Sequence, residues 1–174
     1  MCPDPETPLR FGILTISDRS ARGVRPDASG PGLEAAIFQR GWAVLRTGII
    51  PDELIEIQHI LIEWVDSTDI DIILTTGGTG FSPRDVTPEA TLGVIERQVP
   101  GMGEVMRMAS LRVTPHAMLS RGIAGIRGHT LIVNLPGSPK AALENLNVII
   151  PVLSHAVELL REEPGSEAGH RAKI

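Results

Sequence analysis

The chain has 174 residues, a formal net charge of −5 at pH 7, one cysteine and no tyrosine. This length fits one domain with a sizeable core, which must be aliphatic because aromatic residues make up only 3% of the chain. The acidic balance argues against nucleic-acid and membrane-surface partners, since both usually require a basic face. The first ten residues lack the apolar region of a secretory signal, and no apolar run reaches the roughly 20 residues that span a bilayer. We therefore expect a cytoplasmic protein.

Short β-branched runs alternate with segments of helical periodicity. The runs predict strands at 11–16, 42–50, 71–76 and 130–135, and segment 118–126 is compatible with an edge strand. Helical spacing of apolar residues predicts helices at 33–40, 51–65, 87–99, 102–111 and 139–160. Thr87 is expected to be the N-cap of its helix, and Pro151 is expected to kink or split the last one.

Alternating strands and helices predict an α/β fold with three layers and a mainly parallel sheet. We expect residues 9–162 to form this domain and residues 1–8 and 163–174 to be flexible termini. In such folds a ligand lies beyond the carboxyl ends of the strands. The loops at 17–32, 51–52, 77–87 and 134–138 are therefore the places where a site is expected.

The loop at 75–88, with the sequence TTGGTGFSPRDVTP, is the most informative segment. Its glycines allow successive backbone N–H groups to face one concavity, which suits anionic oxygens, and Thr76 and Thr79 add hydroxyl donors. Asp85 could hold Mg²⁺ beside a phosphate group. The structural alternative is a tight turn in which Asp85 only satisfies neighbouring backbone groups.

Three further loops carry candidate residues with structural alternatives. Asp52 could be a second metal-binding or catalytic acid, or an N-terminal capping carboxylate. The segment Ser17-Asp18-Arg19 could bind phosphate, or Asp18 could pair with Arg19. In the segment at 134–140, NLPGSPK, the Pro-Gly turn would let a flat ring approach the backbone, and Ser138 is the expected N-cap of the last helix.

In combination, these motifs resemble the Mog/MoaB-type molybdopterin-binding domain, as in stand-alone bacterial Mog proteins and the G domain of gephyrin. The motifs that carry the resemblance are SDR at 17–19, IPDE at 50–53, GGTGFSPRDVTPEAT at 77–91, LSRGIAGIRG at 119–128 and LIVNLPGSPKA at 131–141. The resemblance extends over residues 9–161 and implies a Rossmann-like domain that assembles as a homotrimer.

The resemblance also implies an activity, the transfer of AMP from ATP to the phosphate of molybdopterin with Mg²⁺. The product would pass to molybdate insertion, which a partner protein could perform. Asp52 and Asp85 match the functional acids of the family and are its expected catalytic and metal-binding residues. The expected phosphate loop is Gly77, Gly78, Thr79 and Gly80, and the expected pocket-lining residues are Ser120, Asn134, Pro136, Gly137 and Ser138.

Two other functions are compatible with the same fold. One is a nucleotide pyrophosphatase of the CinA type, and the other is a non-catalytic molybdopterin-binding module such as a MoaB-like paralogue. The combined GGTG, RDVTP and PGSP motifs favour adenylyl transfer over pyrophosphate hydrolysis. The presence of both Asp52 and Asp85 favours catalysis over binding alone.

Overall fold

The computed structural model describes residues 8–67 and 69–162. The expected flexible termini, 1–8 and 163–174, lie outside this part of the chain except for Pro8. Within the described residues the strands are β1 (Arg10–Ile16), β2 (Ala43–Ile50), β3 (Ile72–Thr76), β4 (Arg97–Gln98), β5 (Ala124–Arg127) and β6 (Thr130–Leu135). The helices are α1 (Asp18–Ala21), α2 (Ser29–Phe38), α3 (Leu54–Asp66), α4 (Thr87–Leu92), α5 (Pro100–Leu111) and α6 (Pro139–Leu160), with a 3-10 helix at Pro115–Leu119.

The strands form one sheet in the order β2-β1-β3-β6-β5-β4. Strands β2, β1, β3 and β6 are parallel, whereas β5 pairs antiparallel with both β6 and β4. The predicted α/β class with a mainly parallel sheet is confirmed. β1 lies between β2 and β3, so the next strand along the chain is added on one side of β1 and the strand after that on its other side. This reversal of strand order is a topological switch point, and ligands commonly bind there.

Two apolar cores cover the two faces of the sheet and produce the three layers. On one face, α2, α5 and α6 pack against β1, β3 and β6 through residues such as Leu33, Met106 and Leu146. On the other face, α3 and α4 pack through residues such as Ile57 and Ala90. The α6 helix is long and apolar enough to cross a membrane by length and composition alone. Its apolar stripe, however, packs in the first core.

Several local predictions were wrong. The expected loop at 17–32 contains α1, and α2 begins at Ser29 rather than near Leu33. The helix that starts at Thr87 ends at Leu92, well before Pro100, which instead begins α5. Of segment 118–126, only residues 124–126 belong to a strand, β5, and β4 is the edge strand next to it, so β5 is not at the edge of the sheet.

Pro151 and Thr87 also differ in part from expectation. α6 continues through Pro151, which is exposed, so the helix is not split. Thr87 is not a capping residue, because its hydroxyl donates to the carbonyl oxygen of Gly77 at 2.9 Å. Ser138 occupies the N-cap position of α6 as expected, but its side chain makes no capping hydrogen bond.

Candidate active site

A cleft of about 860 Å³ lies at the carboxyl ends of the parallel strands. The ends of β1, β2, β3 and β6 contribute to it in turn, as the position of the switch point requires. The residues named from the sequence that line it are Ser17, Asp18, Arg19, Asp52, Thr76, Gly77, Gly78, Asp85, Gly137 and Ser138. Four loops that are far apart in sequence therefore meet in one concavity.

The turn after β3 depends on two glycines. Gly77 and Gly78 have φ angles of +103° and +62°, a region that side chains with a Cβ rarely adopt. A Cβ on Gly77 would lie 2.2 Å from the carbonyl oxygen of Ile16. A Cβ on Gly78 would lie 2.3 Å from the hydroxyl of Thr87 and 2.9 Å from Oδ1 of Asp52. The backbone of this turn thus approaches β1 and the acidic residues more closely than any other residue type would allow.

Asp52 and Asp18 exchange hydrogen bonds between side chain and backbone. Oδ2 of Asp52 accepts from the amide of Asp18 at 2.8 Å, and Oδ1 of Asp18 accepts from the amide of Asp52 at 3.3 Å. Asp52 does not cap α3, whose N-cap position is Glu53. Burial, together with the negative charges of Asp18 and Asp85, raises the pKa of Asp52. A cation bound near Asp52 would oppose that shift.

Asp85 has both a structural contact and a half-buried position in the cleft. Its Oδ2 accepts from the amide of Ser82 at 2.9 Å, which closes a short turn as the structural alternative proposed. Its Oδ1 receives no hydrogen bond from any described residue, and the residue lines the cleft. Asp85 can therefore stabilise its own turn with one oxygen and offer the other to a ligand.

Arg84 bridges the acidic loops across the cleft. Its Nε and Nη2 donate to the carboxylate of Asp18 at 3.1 and 3.0 Å, and Nη2 also donates to Glu53 at 2.8 Å. The hydrogen bonds from Arg84 hold the pKa of Asp18 below its ordinary value. The alternative in which Asp18 pairs with Arg19 is wrong, since Arg19 is exposed and Asp18 pairs with Arg84.

Not every candidate residue reaches the cleft. Thr79 is buried, and neither it nor Gly80 is among the residues that line the cleft. The hydroxyl of Thr76 donates to the carbonyl oxygen of Pro136 at 2.8 Å, so its hydrogen is already engaged.

Ser120, Asn134 and Pro136 line a second, mostly apolar cavity of about 200 Å³ between α5, the 3-10 helix and α6. The amide nitrogen of Asn134 donates to the hydroxyls of Thr75 and Thr91, both at 2.9 Å. This side chain therefore joins β3, α4 and β6 at the wall of the second cavity. Pro136 lines the second cavity and the next residue, Gly137, lines the cleft, so one turn contributes to both.

The structure adds cleft residues that the sequence did not single out, among them Arg25, Asp27, Ser82 and Arg84. Asp27 caps α2, because its Oδ1 accepts from the amides of Ser29 and Gly30 at 2.9 and 3.1 Å. The Asp-Ala-Ser-Gly segment at 27–30 carries a helix-start signal of the usual kind. That signal was hidden by the surrounding glycines and prolines, which predicted a loop.

The carboxylates of Asp52 and Asp85 fit a Mg²⁺ ion whose other ligands would be phosphate oxygens and water. Mg²⁺ is usually held by one or two carboxylates together with substrate phosphates. Among the described residues no cluster of three or more His, Cys, Asp or Glu side chains could hold a metal by itself. Two carboxylates are the donor set expected where substrate phosphates supply the remaining ligands of the metal.

The parallel sheet, the glycine turn and the carboxylates at the switch point define a Rossmann-like α/β protein with a cleft suited to phosphorylated ligands. A family model described as a probable molybdopterin binding domain matches residues 12–155. The chain belongs to this molybdopterin-binding domain family.

Individual relatives agree with this assignment. The chain is 44% identical to gephyrin from Dictyostelium discoideum over 174 residues, covering 93% of this chain and 24% of gephyrin. It is 47% identical over 140 residues to the molybdopterin adenylyltransferase of Escherichia coli K12, covering 79% and 72% of the two proteins. The crystal structure of the molybdopterin biosynthesis enzyme MoaB from Thermus thermophilus matches with a TM-score of 0.84 and 48% identity, covering 90% and 98%. The chain thus spans about a quarter of gephyrin but most of the two bacterial proteins.

Proposed function

We propose that this protein is a molybdopterin adenylyltransferase that transfers AMP from ATP to the phosphate of molybdopterin in molybdenum-cofactor biosynthesis. The observation that carries the proposal is the meeting of Asp52 and Asp85 beside the Gly77-Gly78 turn in one cleft. The activity named for the bacterial relative requires a site that holds phosphate groups and compensates their charge.

The reaction places modest demands on the protein. An oxygen of the molybdopterin phosphate attacks the α-phosphorus of ATP, the bond to the bridging oxygen breaks, and pyrophosphate leaves with the electron pair. A phosphate nucleophile is already ionised near pH 7, so the site needs no general base. Alignment of the reacting groups and stabilisation of charge supply the acceleration.

Different residues of the cleft would align the reacting groups and stabilise their charge. The amides of the 77–78 turn lie where they can contact phosphate oxygens, and Arg19 contributes an exposed cation. Asp52 and Asp85 would hold Mg²⁺, which compensates phosphate charge when it is bound. Arg84 keeps the loop that carries Asp85 next to Asp18 and Glu53.

The second cavity fits the ring end of the pterin. Its accessible surface is mostly apolar, and polar side chains such as Ser110 and Ser120 also line it, a combination typical of small-molecule sites. Because consecutive residues, Pro136 and Gly137, line this cavity and the cleft, a ligand whose ring occupies this cavity could extend its phosphate toward the glycine turn.

The proposal includes a homotrimer in the cytoplasm that passes its product to a molybdenum-insertion partner. The family resemblance supports the trimer, and exposed apolar residues on α5 and the 3-10 helix support an interface. Met108 and Met118 are 63% and 66% exposed there. The acidic composition supports a protein that does not act on nucleic acid or membrane surfaces.

Mass spectrometry of molybdopterin incubated with the protein, ATP and Mg²⁺ tests the activity directly. Adenylylated molybdopterin together with pyrophosphate is the expected result. Tight pterin binding without product would instead support a non-catalytic module of the MoaB-like kind. Hydrolysis of ADP-ribose without pterin adenylylation would support a CinA-type pyrophosphatase.

A further inference from the structure

Asp85 lies at the end of an exposed turn, Gly80–Asp85, that protrudes between the end of β3 and the start of α4. Within the turn, the amide of Ser82 donates to Oδ2 of Asp85, the amide of Arg84 donates to the hydroxyl of Ser82, and the amide of Asp85 donates to the carbonyl oxygen of Ser82. Phe81 at its tip is 67% exposed. Such a turn has little apolar packing of its own, so the position of the Asp85 carboxylate depends on contacts made from outside it.

On the cleft side, Arg84 of the turn is bound to Asp18 and Glu53. Arg121 holds the turn from the opposite side. Its Nε donates to the carbonyl oxygen of Gly80 at 2.7 Å, and its Nη2 donates to the carbonyl oxygen of Asp85 at 2.5 Å. The first and last residues of the turn are thus held by one guanidinium group. Nη1 forms an ion pair with Glu89 on α4, and the amide of Arg121 donates to the carbonyl oxygen of Thr79 at 2.9 Å.

An arginine is the side chain suited to this geometry. Its planar fork directs several N–H groups at fixed angles, whereas a lysine ammonium on a flexible stem would satisfy one of these acceptors at a time. Arg121 is absent from the lining of the main cleft and lies behind the turn with Glu89, so it does not contact the space where the phosphates would bind.

We infer that Arg121 is a positioning residue that holds the Gly80–Asp85 turn so that Asp85 faces Asp52 and the glycine turn. The inference rests on the proposed adenylyl transfer for its kinetic consequence, but the contacts themselves are independent of it. A displacement of a catalytic group by about 1 Å can cost on the order of 10²-fold in rate. Loss of the bridge should therefore lower turnover without removing any group that touches the substrates.

The test uses Arg121→Lys and Arg121→Ala, with Arg46→Lys as the matched control. Arg46 is similarly exposed and forms an ion pair with Glu63, outside the cleft. Hydrogen exchange of the peptide covering 80–86 measures whether the turn is held, and it does not require activity. Steady-state assays across a Mg²⁺ titration measure kcat, the KM for ATP and the metal requirement, and melting temperature reports folding.

We expect both Arg121 variants to exchange faster at 80–86, to lose about 10²-fold in kcat and to require more Mg²⁺, with a smaller change in the KM for ATP. Guanidinium ion, added well below denaturing concentrations, should partly restore kcat in Arg121→Ala. Arg46→Lys should match the wild type in every measurement.

Two results would overturn the inference. One is wild-type exchange at 80–86 in folded Arg121→Lys. The other is wild-type kcat and Mg²⁺ dependence in that variant, since a purely structural role would change melting temperature alone. If Arg121→Ala does not fold, the exchange and kinetic measurements on Arg121→Lys decide whether the inference holds. Absence of adenylylated product from the wild type would count against the proposed function, whereas the exchange measurement would still decide whether Arg121 holds the turn.

Discussion

Asp18 and Asp52 hold each other in place, because the carboxylate of each accepts a hydrogen bond from the backbone amide of the other. The two residues follow neighbouring parallel strands, β1 and β2. This exchange fixes the two loops at one edge of the sheet and directs the Asp52 carboxylate toward the glycine turn, where a Cβ on Gly78 would lie 2.9 Å from it. Asp52, which could have capped α3, therefore lines the cleft instead.

Replacement of either central acid by asparagine should abolish adenylyl transfer but preserve the fold. Asparagine keeps the size and an acceptor oxygen, so the hydrogen bonds to Asp18 and Ser82 can persist, but the charge that would hold Mg²⁺ is lost. We expect Asp52→Asn and Asp85→Asn to lose orders of magnitude in turnover. Because burial raises the pKa of Asp52, its ionised form costs stability, and Asp52→Asn should melt no lower than the wild type.

The measurement is adenylylated product across a Mg²⁺ titration, with molybdopterin affinity and melting temperature for each variant. Asp66→Asn is the control, since Asp66 is exposed at the end of α3, outside the cleft. Wild-type turnover of both cleft variants at limiting Mg²⁺ would contradict the metal-binding role, even though the family assignment would stand.

A side chain at Gly78 should prevent binding of the phosphates. Gly78→Ala would place a methyl group 2.3 Å from the Thr87 hydroxyl, and Gly78→Val would add further crowding. We expect both variants to lose ATP affinity, measured by calorimetry with Mg²⁺ present. Gly41→Ala is a matched control, because Gly41 also has a positive φ of +75° but nothing within 4 Å of its Cβ position.

The comparison with Gly41→Ala separates the cost of a strained backbone from the consequence of crowding at the site. Both alanine variants should lose stability through the positive φ angle. Only the Gly78 variants should lose nucleotide affinity. Normal binding of ATP and molybdopterin by folded Gly78→Val would show that the phosphates bind elsewhere.

Asp71 directly precedes β3, at the end of the sheet opposite the cleft, and should stabilise the fold in a pH-dependent way. Its buried carboxylate accepts from Arg10 at the start of β1 and from Arg161 after α6. Burial opposes its ionisation, but these hydrogen bonds outweigh burial and hold the pKa of Asp71 below its ordinary value. Asp71→Asn should lower the free energy of unfolding at neutral pH by about 2 kcal/mol, the usual scale for hydrogen bonds to a charged group.

The sign of the pH dependence follows from the lowered pKa. The stabilisation is fully present above the ordinary pKa of an unfolded aspartate, roughly 3.9, and is lost as pH falls through the lower native pKa. Denaturant unfolding from pH 7 down to acid should therefore show the difference from wild type shrinking below about pH 4. Asp69→Asn should change little, because Asp69 is 72% exposed and lies 4.0 Å from Arg10. Equal stability of Asp71→Asn and wild type at pH 7 would refute this account.

The exposed apolar residues of α5 and the 3-10 helix should lie in the trimer interface. Met106 is buried in the core, whereas Met108, Leu111, Val113 and Met118 on the same part of the chain are exposed. Exposed apolar patches of this kind are typical of interaction sites. We expect a trimer by light scattering at micromolar concentration, and we expect Met108→Glu to dissociate it. Ile55→Glu, on α3 in the opposite layer, should leave it intact, and a monomeric wild type would contradict the prediction.

By itself, the sequence determined the elements whose evidence is local. The β-branched runs predicted β3 and β6, and the residues directly after each parallel strand predicted the candidate loops, because parallel strands bring their carboxyl ends to one edge. For this reason the sequence alone predicts that one site contains Asp52, Asp85 and the glycines at 77–78. The helix start at 27–30 and the early end of α4 were missed. Gly and Pro nearby hid the first signal, and Gly93, which occupies the C-cap position of α4, was not recognised as the end of that helix.

Only the tertiary structure decided which residues of those loops meet. Arg84 reaches Asp18, 66 positions away along the chain, and Arg121 bridges Gly80 and Asp85 from behind the turn. The hydroxyl of Thr87 bonds Gly77 rather than capping its helix, and Ser120, Asn134 and Pro136 line a separate cavity. These contacts depend on how loops from different strands pack in three dimensions, and neither periodicity nor spacing along the chain carries that information.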